Sequence, residues 1–235
     1  ALSHEFVNSL SKLFEDLKNN NKINCLIISS SIKHFCAGAD LKERILIPKD
    51  EVLSTVENIS ECFNRLESLP FPTISAINRS CLGGGLEMAL ACDFRIASQN
   101  AIIGLPETSL GIIPGAGGTH RLVNLIGISK SKYWIFSSRK FTAEEAFIDG
   151  VIDFLSNDEE LLETAIDLAE ELLQNSPTAL HAAKLAMSSS FLKNKLSQKE
   201  KDSYKITLAS KDRELALEAF KNKEKPSWSN RKKII

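Results

Sequence analysis

Apolar residues recur at helical spacing in the first stretch, SHEFVNSLSKLFEDLK. Phe6, Leu10, Leu13, Phe14 and Leu17 share one side, and Ser3 stands where an N-cap hydroxyl belongs, so the pattern predicts a helix over 3–18. NNNK breaks it. INCLIISS, residues 23–30, predicts a buried strand. HFCAGAD follows as a loop and DLKER starts a helical turn. After Pro48, residues 49–68 are helical again, and TISAIN, 73–78, is a second buried strand. A helix over 86–92 and short strands near 94–97 and 101–104 come next. PETSLGIIPGAGGTHR is then a long loop with several turn signals. Helices are predicted over 118–126, 129–137 and 142–148, with a short strand at 151–155. From about 158 onward the pattern is helical, over 158–174, 177–189, 197–209 and 211–221.

This alternation of strands and helices up to 155 predicts an α/β fold with buried strands. The chain divides on this reading into a core, 1–158, and a C-terminal helical region, 159–235. With 235 residues, 43% hydrophobic and 25% charged, it can bury a sizeable core. A net charge of −1 gives no general attraction to nucleic acid or to an anionic membrane. No apolar run reaches the length of a membrane span.

Cys25, Cys36, Cys62, Cys81 and Cys92 are odd in number and form no C-x-x-C. They read as reduced thiols, mostly in the core. The histidines show no metal-ligand spacing, so no metal site is expected. The chain opens ALSHEFVNSL without an initiator Met, which reads as a truncated chain whose targeting segment is missing.

CLGGGLEMALACD, residues 81–93, places three glycines before a helix-forming run. Glycine is a poor choice for both strand and helix. A tight strand-to-helix turn is one explanation. Phosphate binding is disfavoured, because neither G-x-G-x-x-G nor G-x-x-x-x-G-K-[ST] is present. The third is an oxyanion site, in which bare backbone lets a ligand touch N–H groups at a helix start. HFCAGAD offers a second glycine between small residues after a strand. Two acids join these loops: Glu87, and Glu107 twenty residues on, the latter in an otherwise apolar loop. Carboxylates among Leu, Pro and Ile are costly unless bonded or used.

These pieces together resemble the crotonase (enoyl-CoA hydratase/isomerase) superfamily. The matching stretches are HFCAGADLKE, PTISAINRSCLGGGLEMALACDFRIAS, GLPETSLGIIPGAGGTHRL, FTAEEAFIDGVID and LEAFKNKEKPSW. They cover essentially the whole chain. The wording is nearest to methylglutaconyl-CoA hydratases and enoyl-CoA hydratase domain-containing proteins.

The resemblance implies a ββα spiral followed by a helical trimerisation region, and a homotrimer or hexamer. It implies that the N–H groups of Ala39 and Gly84 hold a thioester oxygen. Glu87 and Glu107 would hold one water, with Glu107 serving the α-carbon. Two acids in one dry site should not both ionise easily, so one pKa should rise. Lys33, Ala37, Asp40, Leu41 and Lys42 would bind coenzyme A, and Gly115 in IPGAGG would shape the acyl end. Phe220 and Lys223 would complete the pocket, often from a neighbouring subunit. No cofactor is implied beyond the coenzyme A of the substrate. His120 and Arg121 carry no implied chemical role, and Asp93 reads as structural. The chain starts inside the family's first helix, so the usual N-terminal strands would be missing, and SNRKKII runs past the usual end. A mitochondrial matrix location, otherwise cytoplasmic, follows by resemblance alone.

The implied reaction is hydration of an enoyl-CoA; the alternatives are isomerisation of an enoyl-CoA on the same fold, a scaffold that binds acyl-CoA without turnover, and a methylglutaconyl-CoA hydratase-like protein with secondary RNA binding. A branch near the methylglutaconyl-CoA hydratases is associated with RNA through a lysine-rich first helix. Here Lys12 and Lys18 face Glu5, Glu15 and Asp16, so nucleic-acid binding is not expected. No cation in the pocket loops points to an acyl group carrying its own carboxylate.

Overall fold

The computed structural model describes residues 1–20, 22–40, 43, 46–48, 50–187, 210–224, 227 and 233–234. Leu41, Lys42, the helix expected over 197–209 and the tail SNRKKII except Lys233 and Ile234 lie outside the described residues, as does the side chain of Phe220. The chain forms two compact units. The first comprises Ala1–Asn19, Ile27–Leu69 and Thr73–Ile166; the second comprises Asn20–Leu26, Pro70–Pro72 and Asp167–Ile235.

In the first unit, α1 (His4–Lys18) is capped by the Ser3 hydroxyl, which accepts the Phe6 N–H at 3.2 Å. Its buried stripe is Val7, Phe14 and Leu17, with Leu10 half-buried, while Phe6 and Leu13 are each 46% exposed. The stripe that packs on α2 (Val52–Glu67) therefore lies one residue, about 100° of helix, from part of the expected face. β2 (Thr73–Ile77), β4 (Phe94–Ser98) and β7 (Phe154–Ser156) form a parallel array in the order β7-β4-β2. β2 is buried along its whole length, as a parallel strand covered on both faces should be. The strand expected over 151–155 is displaced to 154–156, because Val151 and Ile152 bond back to Ala146 O and close the preceding helix.

A smaller sheet of β3 (Ser80–Leu82), β5 (Ile102–Gly104) and β6 (Phe141–Thr142) carries the chemistry-bearing loops. β3 and β5 run parallel, and β5 and β6 antiparallel. Both β3 and β6 are too short for a period-two pattern to announce them. α3 (Gly84–Leu90), α4 (Gly118–Ile126), α5 (Ile128–Ser137) and α6 (Ala143–Asp149) complete this unit together with the first part of α7 (Leu161–Leu172). Thr142 and Glu145 make a capping box at the start of α6. Trp134 stacks on Phe141 and donates its indole N–H to Asp149 at 2.8 Å.

The second unit holds α8 (Pro177–Met187) and α9 (Lys211–Asn222). The start of β1 (Ile23–Ile28) pairs in parallel with β8 (Lys233–Ile234). Asp212 of α9 accepts the Ser176 hydroxyl at 2.6 Å in front of α8. Among the described residues no helix is long and apolar enough to cross a membrane. All five cysteines are free and buried.

Candidate functional site

β3 is clasped on both sides. On one side Cys36 N–H bonds Ser80 O and Leu82 N–H bonds Cys36 O, both at 3.0 Å; on the other, Gly83 N–H bonds Gly104 O at 2.9 Å. This sets the Cys36–Ala39 loop beside the glycine triplet. Gly38 adopts φ +95°, where a Cβ would meet Leu82 O at 3.0 Å and Gly84 N at 3.4 Å. A Cβ on Gly84 would stand 3.7 Å from Ala39 N. The Ala39 and Gly84 N–H groups are therefore neighbours. Gly84 is the first residue of α3, two residues before the expected start at 86, so its N–H has no acceptor within the helix. Leu2 pins the loop by bonding Gly38 O at 2.9 Å and accepting Asp40 N–H at 3.3 Å.

Glu87 lies in the first turn of α3 and is only 4% exposed. Its Oε1 accepts two backbone N–H groups, from Ala116 and Gly118, each at 2.8 Å. A side chain at 118 would collide with this arrangement, since a Cβ there would sit 3.0 Å from both Glu87 Cγ and Oε1. Burial pushes the Glu87 carboxyl above its ordinary value; the Gly118 and Ala116 N–H groups and the Arg121 charge pull it partly back. The direction is the one expected, but the cause is burial rather than repulsion by the second acid.

Glu107 opens a short 3₁₀ turn, Glu107–Leu110, and is 8% exposed. That turn interrupts the segment expected to be loop. The carboxylate reaches back to the glycine triplet, where a Cβ on Gly83 would meet Oε1 at 2.8 Å.

Ala37, Ala39, Gly84, Glu87, Glu107 and Gly115 all line one open cleft of about 1040 Å³. Asp40 lines a small adjoining cavity of about 40 Å³ with Ala39. Lys33 is exposed and outside the cleft lining, and Lys223 is an exposed residue of the second unit. Asp93 is structural, accepting the Thr73 N–H at 2.8 Å and the Thr73 hydroxyl at 3.0 Å.

Three features escaped the sequence reading. The loop 113–118 presents N–H groups to Glu87 besides shaping the wall; the glycines that made it a turn also bare those donors. Part of the wall comes from Val52, Leu53 and Val56 of α2, where the sequence predicted only a helix. Lys140, just before β6, also lines the cleft. Its neighbours in sequence contain no signal for this; only the β5–β6 pairing brings it there.

Two bare N–H groups beside two buried carboxylates, in a large cleft on a layered α/β frame, define a class of site suited to stabilising an enolate while moving protons at adjacent carbons. The family model for enoyl-CoA hydratase/isomerase matches residues 1–231, and the chain belongs to this crotonase family of enzymes. YngF of Bacillus subtilis, named for the same hydratase/isomerase class, is 44% identical over 96% of this chain and 88% of its own. Mouse mitochondrial methylglutaconyl-CoA hydratase is 43% identical over 97% of this chain and 75% of its own. The crystal structure of a Bacillus anthracis enoyl-CoA hydratase superposes with a TM-score of 0.93 at 39% identity, covering 97% of this chain and 90% of that one. These relatives include hydratases, which are lyases, and the fold is theirs.

Proposed function

We propose that the chain is an enoyl-CoA hydratase, adding water across the 2,3 double bond of an enoyl-CoA thioester. The observation that carries the reading is the pair of buried acids, Glu87 and Glu107, lining the same cleft as the Ala39 and Gly84 N–H groups. The thioester oxygen lies between those two N–H groups, which favour the charge that builds on it as an enolate more than the neutral carbonyl. Glu87 takes a proton from water as the C3–O bond forms and the π bond breaks. Glu107, protonated at the start, delivers a proton to C2 as the enolate collapses, and the proton taken by Glu87 is returned to Glu107 through solvent before the next turnover, so both acids are restored. Water supplies every atom added, so the reaction needs no cofactor beyond the coenzyme A of the substrate. An isomerase requires one acid to carry a proton between carbons; a second buried acid in reach of the same cleft supports hydration.

Ala37 and Asp40, beside the first N–H loop, would meet the pantetheine end, as the family resemblance implies. Leu41, Lys42, Lys33, Phe220 and Lys223 would add coenzyme A contacts on the family resemblance alone, and a homotrimer or hexamer and a mitochondrial matrix, otherwise cytoplasmic, location rest on the same resemblance.

A second reading of the substrate rests on Lys140. It lines the cleft, and among the described residues no salt bridge includes it. An acyl group ending in a carboxylate, as in the substrate for which the mouse relative is named, would find a partner there.

The test is product analysis with crotonyl-CoA and with a 3-enoyl-CoA. Hydration predicts a 3-hydroxyacyl product one water heavier than crotonyl-CoA. Conversion of the 3-enoyl to the 2-enoyl ester without hydration of either would replace this reading by the isomerase. Lys140→Met, expected to lower kcat/KM for methylglutaconyl-CoA and not for crotonyl-CoA, decides the second reading.

A further inference from the structure

Arg121 sits on the first full turn of α4 and is 4% exposed. Its side chain turns back over the helix start. Nη1 donates to Ala116 O at 3.0 Å, Nη2 to Asn64 Oδ1 at 2.6 Å and to Glu67 Oε2 at 2.9 Å, and Nε to Glu67 Oε2 at 3.2 Å. Asn64 and Glu67 belong to the last turn of α2. The guanidinium thus joins α2 to the loop that faces Glu87.

Where it grips that loop is informative. The Ala116 carbonyl belongs to the peptide unit between residues 116 and 117. The unit before it carries the Ala116 N–H and the unit after it carries the Gly118 N–H, and those two N–H groups hold Glu87 Oε1. Fixing the middle unit fixes the aim of both donors. Gly117 completes the device: it adopts φ +106°, and a Cβ there would overlap Nη1 of Arg121.

The geometry points to Arg121 as a positioning residue for Glu87, acting through the Ala116 peptide and braced by Asn64 and Glu67. The inference rests on the hydratase reading for what Glu87 is positioned to do. The charged and titratable groups on the elements packed here are Arg121 of α4, whose charge acts on Glu87, His120 of α4 and Glu67 of α2, which interact with Arg121, and Glu107 and Lys140, which line the same cleft as Glu87. The Arg121 charge and the donors it aims both favour the ionised carboxylate. Losing Arg121 therefore moves Glu87 further up.

The test compares Arg121→Met, Arg121→Lys and the neutral, exposed Asn64→Ala. Each is read by kcat, by KM and by the pH profile. Each is also read by ¹³C NMR titration of Glu-labelled protein, with the Glu87 signal assigned from its loss in Glu87→Gln. Arg121→Met should lower kcat by about 10–100-fold with little change in KM, and move the acid limb and the Glu87 titration to higher pH. Arg121→Lys should return the titration toward the parent but leave kcat low, because an ammonium lacks the planar fork. Asn64→Ala should move the titration the same way, less far, and keeps the test open if Arg121→Met does not fold. As a control, Arg95→Met removes a buried arginine that bonds Val151 O, Cys92 O and Asp153. It should destabilise the protein without moving the Glu87 titration. A Glu87 titration unmoved in the Arg121 and Asn64 variants, with stability alone reduced, overturns the inference. If the parent proves unable to hydrate, the functional reading fails, while the carboxyl titration still decides the brace.

Discussion

Gly83 lies directly against Glu107, so closely that a Cβ would stand 2.8 Å from the carboxylate Oε1. Its backbone, φ +54° and ψ −126°, is also a conformation that side chains avoid. Gly83→Ala therefore meets two obstacles: backbone strain of order 1–3 kcal/mol, and displacement of an acid. The expected outcome is a lower melting temperature and a kcat reduced by about 100-fold, because misplacing a proton-transfer group by an ångström is that serious. Steady-state kinetics with a thermal melt checks it.

Gly38 makes the matching prediction for the N–H groups. A Cβ at φ +95° would press on Leu82 O and Gly84 N, the contact that keeps Ala39 N and Gly84 N together. Gly38→Ala should lower kcat by about 100–1000-fold, the loss expected for one oxyanion donor. Retained acyl-CoA binding, by calorimetry, would separate this from a collapsed cleft.

Burial of Glu87 has a consequence for stability. Its folded-state pKa is raised above the ordinary 4.5, so the folded protein holds this proton more tightly than the unfolded chain. The resulting stabilisation is full below the unfolded value and is lost as pH rises through the folded one. Glu87→Gln does not titrate. The variant should therefore gain stability relative to the parent between pH about 4 and neutrality, as urea melts at several pH values would show. A parent that instead gains on the variant as pH rises would mean that Ala116, Gly118 and Arg121 outweigh burial.

Asp93 provides a contrast among the acids. It accepts both the N–H and the hydroxyl of Thr73, a fully buried residue, and its own N–H bonds that hydroxyl at 2.9 Å. Asp93→Ala leaves buried donors without acceptors and should cost about 1–3 kcal/mol in a denaturant melt. Turnover per folded molecule should be unchanged.

Much of this site was visible in the residue order. The glycine triplet, the CAGAD loop and the two acids are each short-range signals: glycine where backbone must be bare, a carboxylate where the surroundings are apolar. Elements long enough to show a period, such as α1, α2 and β2, were also legible. What was not legible depended on pairing at a distance. Lys140 reaches the cleft because β6 pairs with β5, and a two-residue strand has no pattern to read. Arg121 looked idle because its partners, Asn64 and Glu67, are more than fifty residues away in sequence. Phe6 and Leu13 share the helical spacing of α1's apolar residues yet stay exposed, because composition does not say which of two adjacent apolar stripes a helix will bury.

Glu87 and Glu107 act as two halves of one proton-transfer device in the proposed hydration. The most direct measurement is crotonyl-CoA hydration by the parent, Glu87→Gln and Glu107→Gln, followed by loss of the enoyl-thioester absorbance, with acyl-CoA affinity measured alongside. The parent should turn over and each single variant should fall by several orders of magnitude, with affinity for the ester kept. A variant of either residue that hydrates at the parent's rate would contradict this.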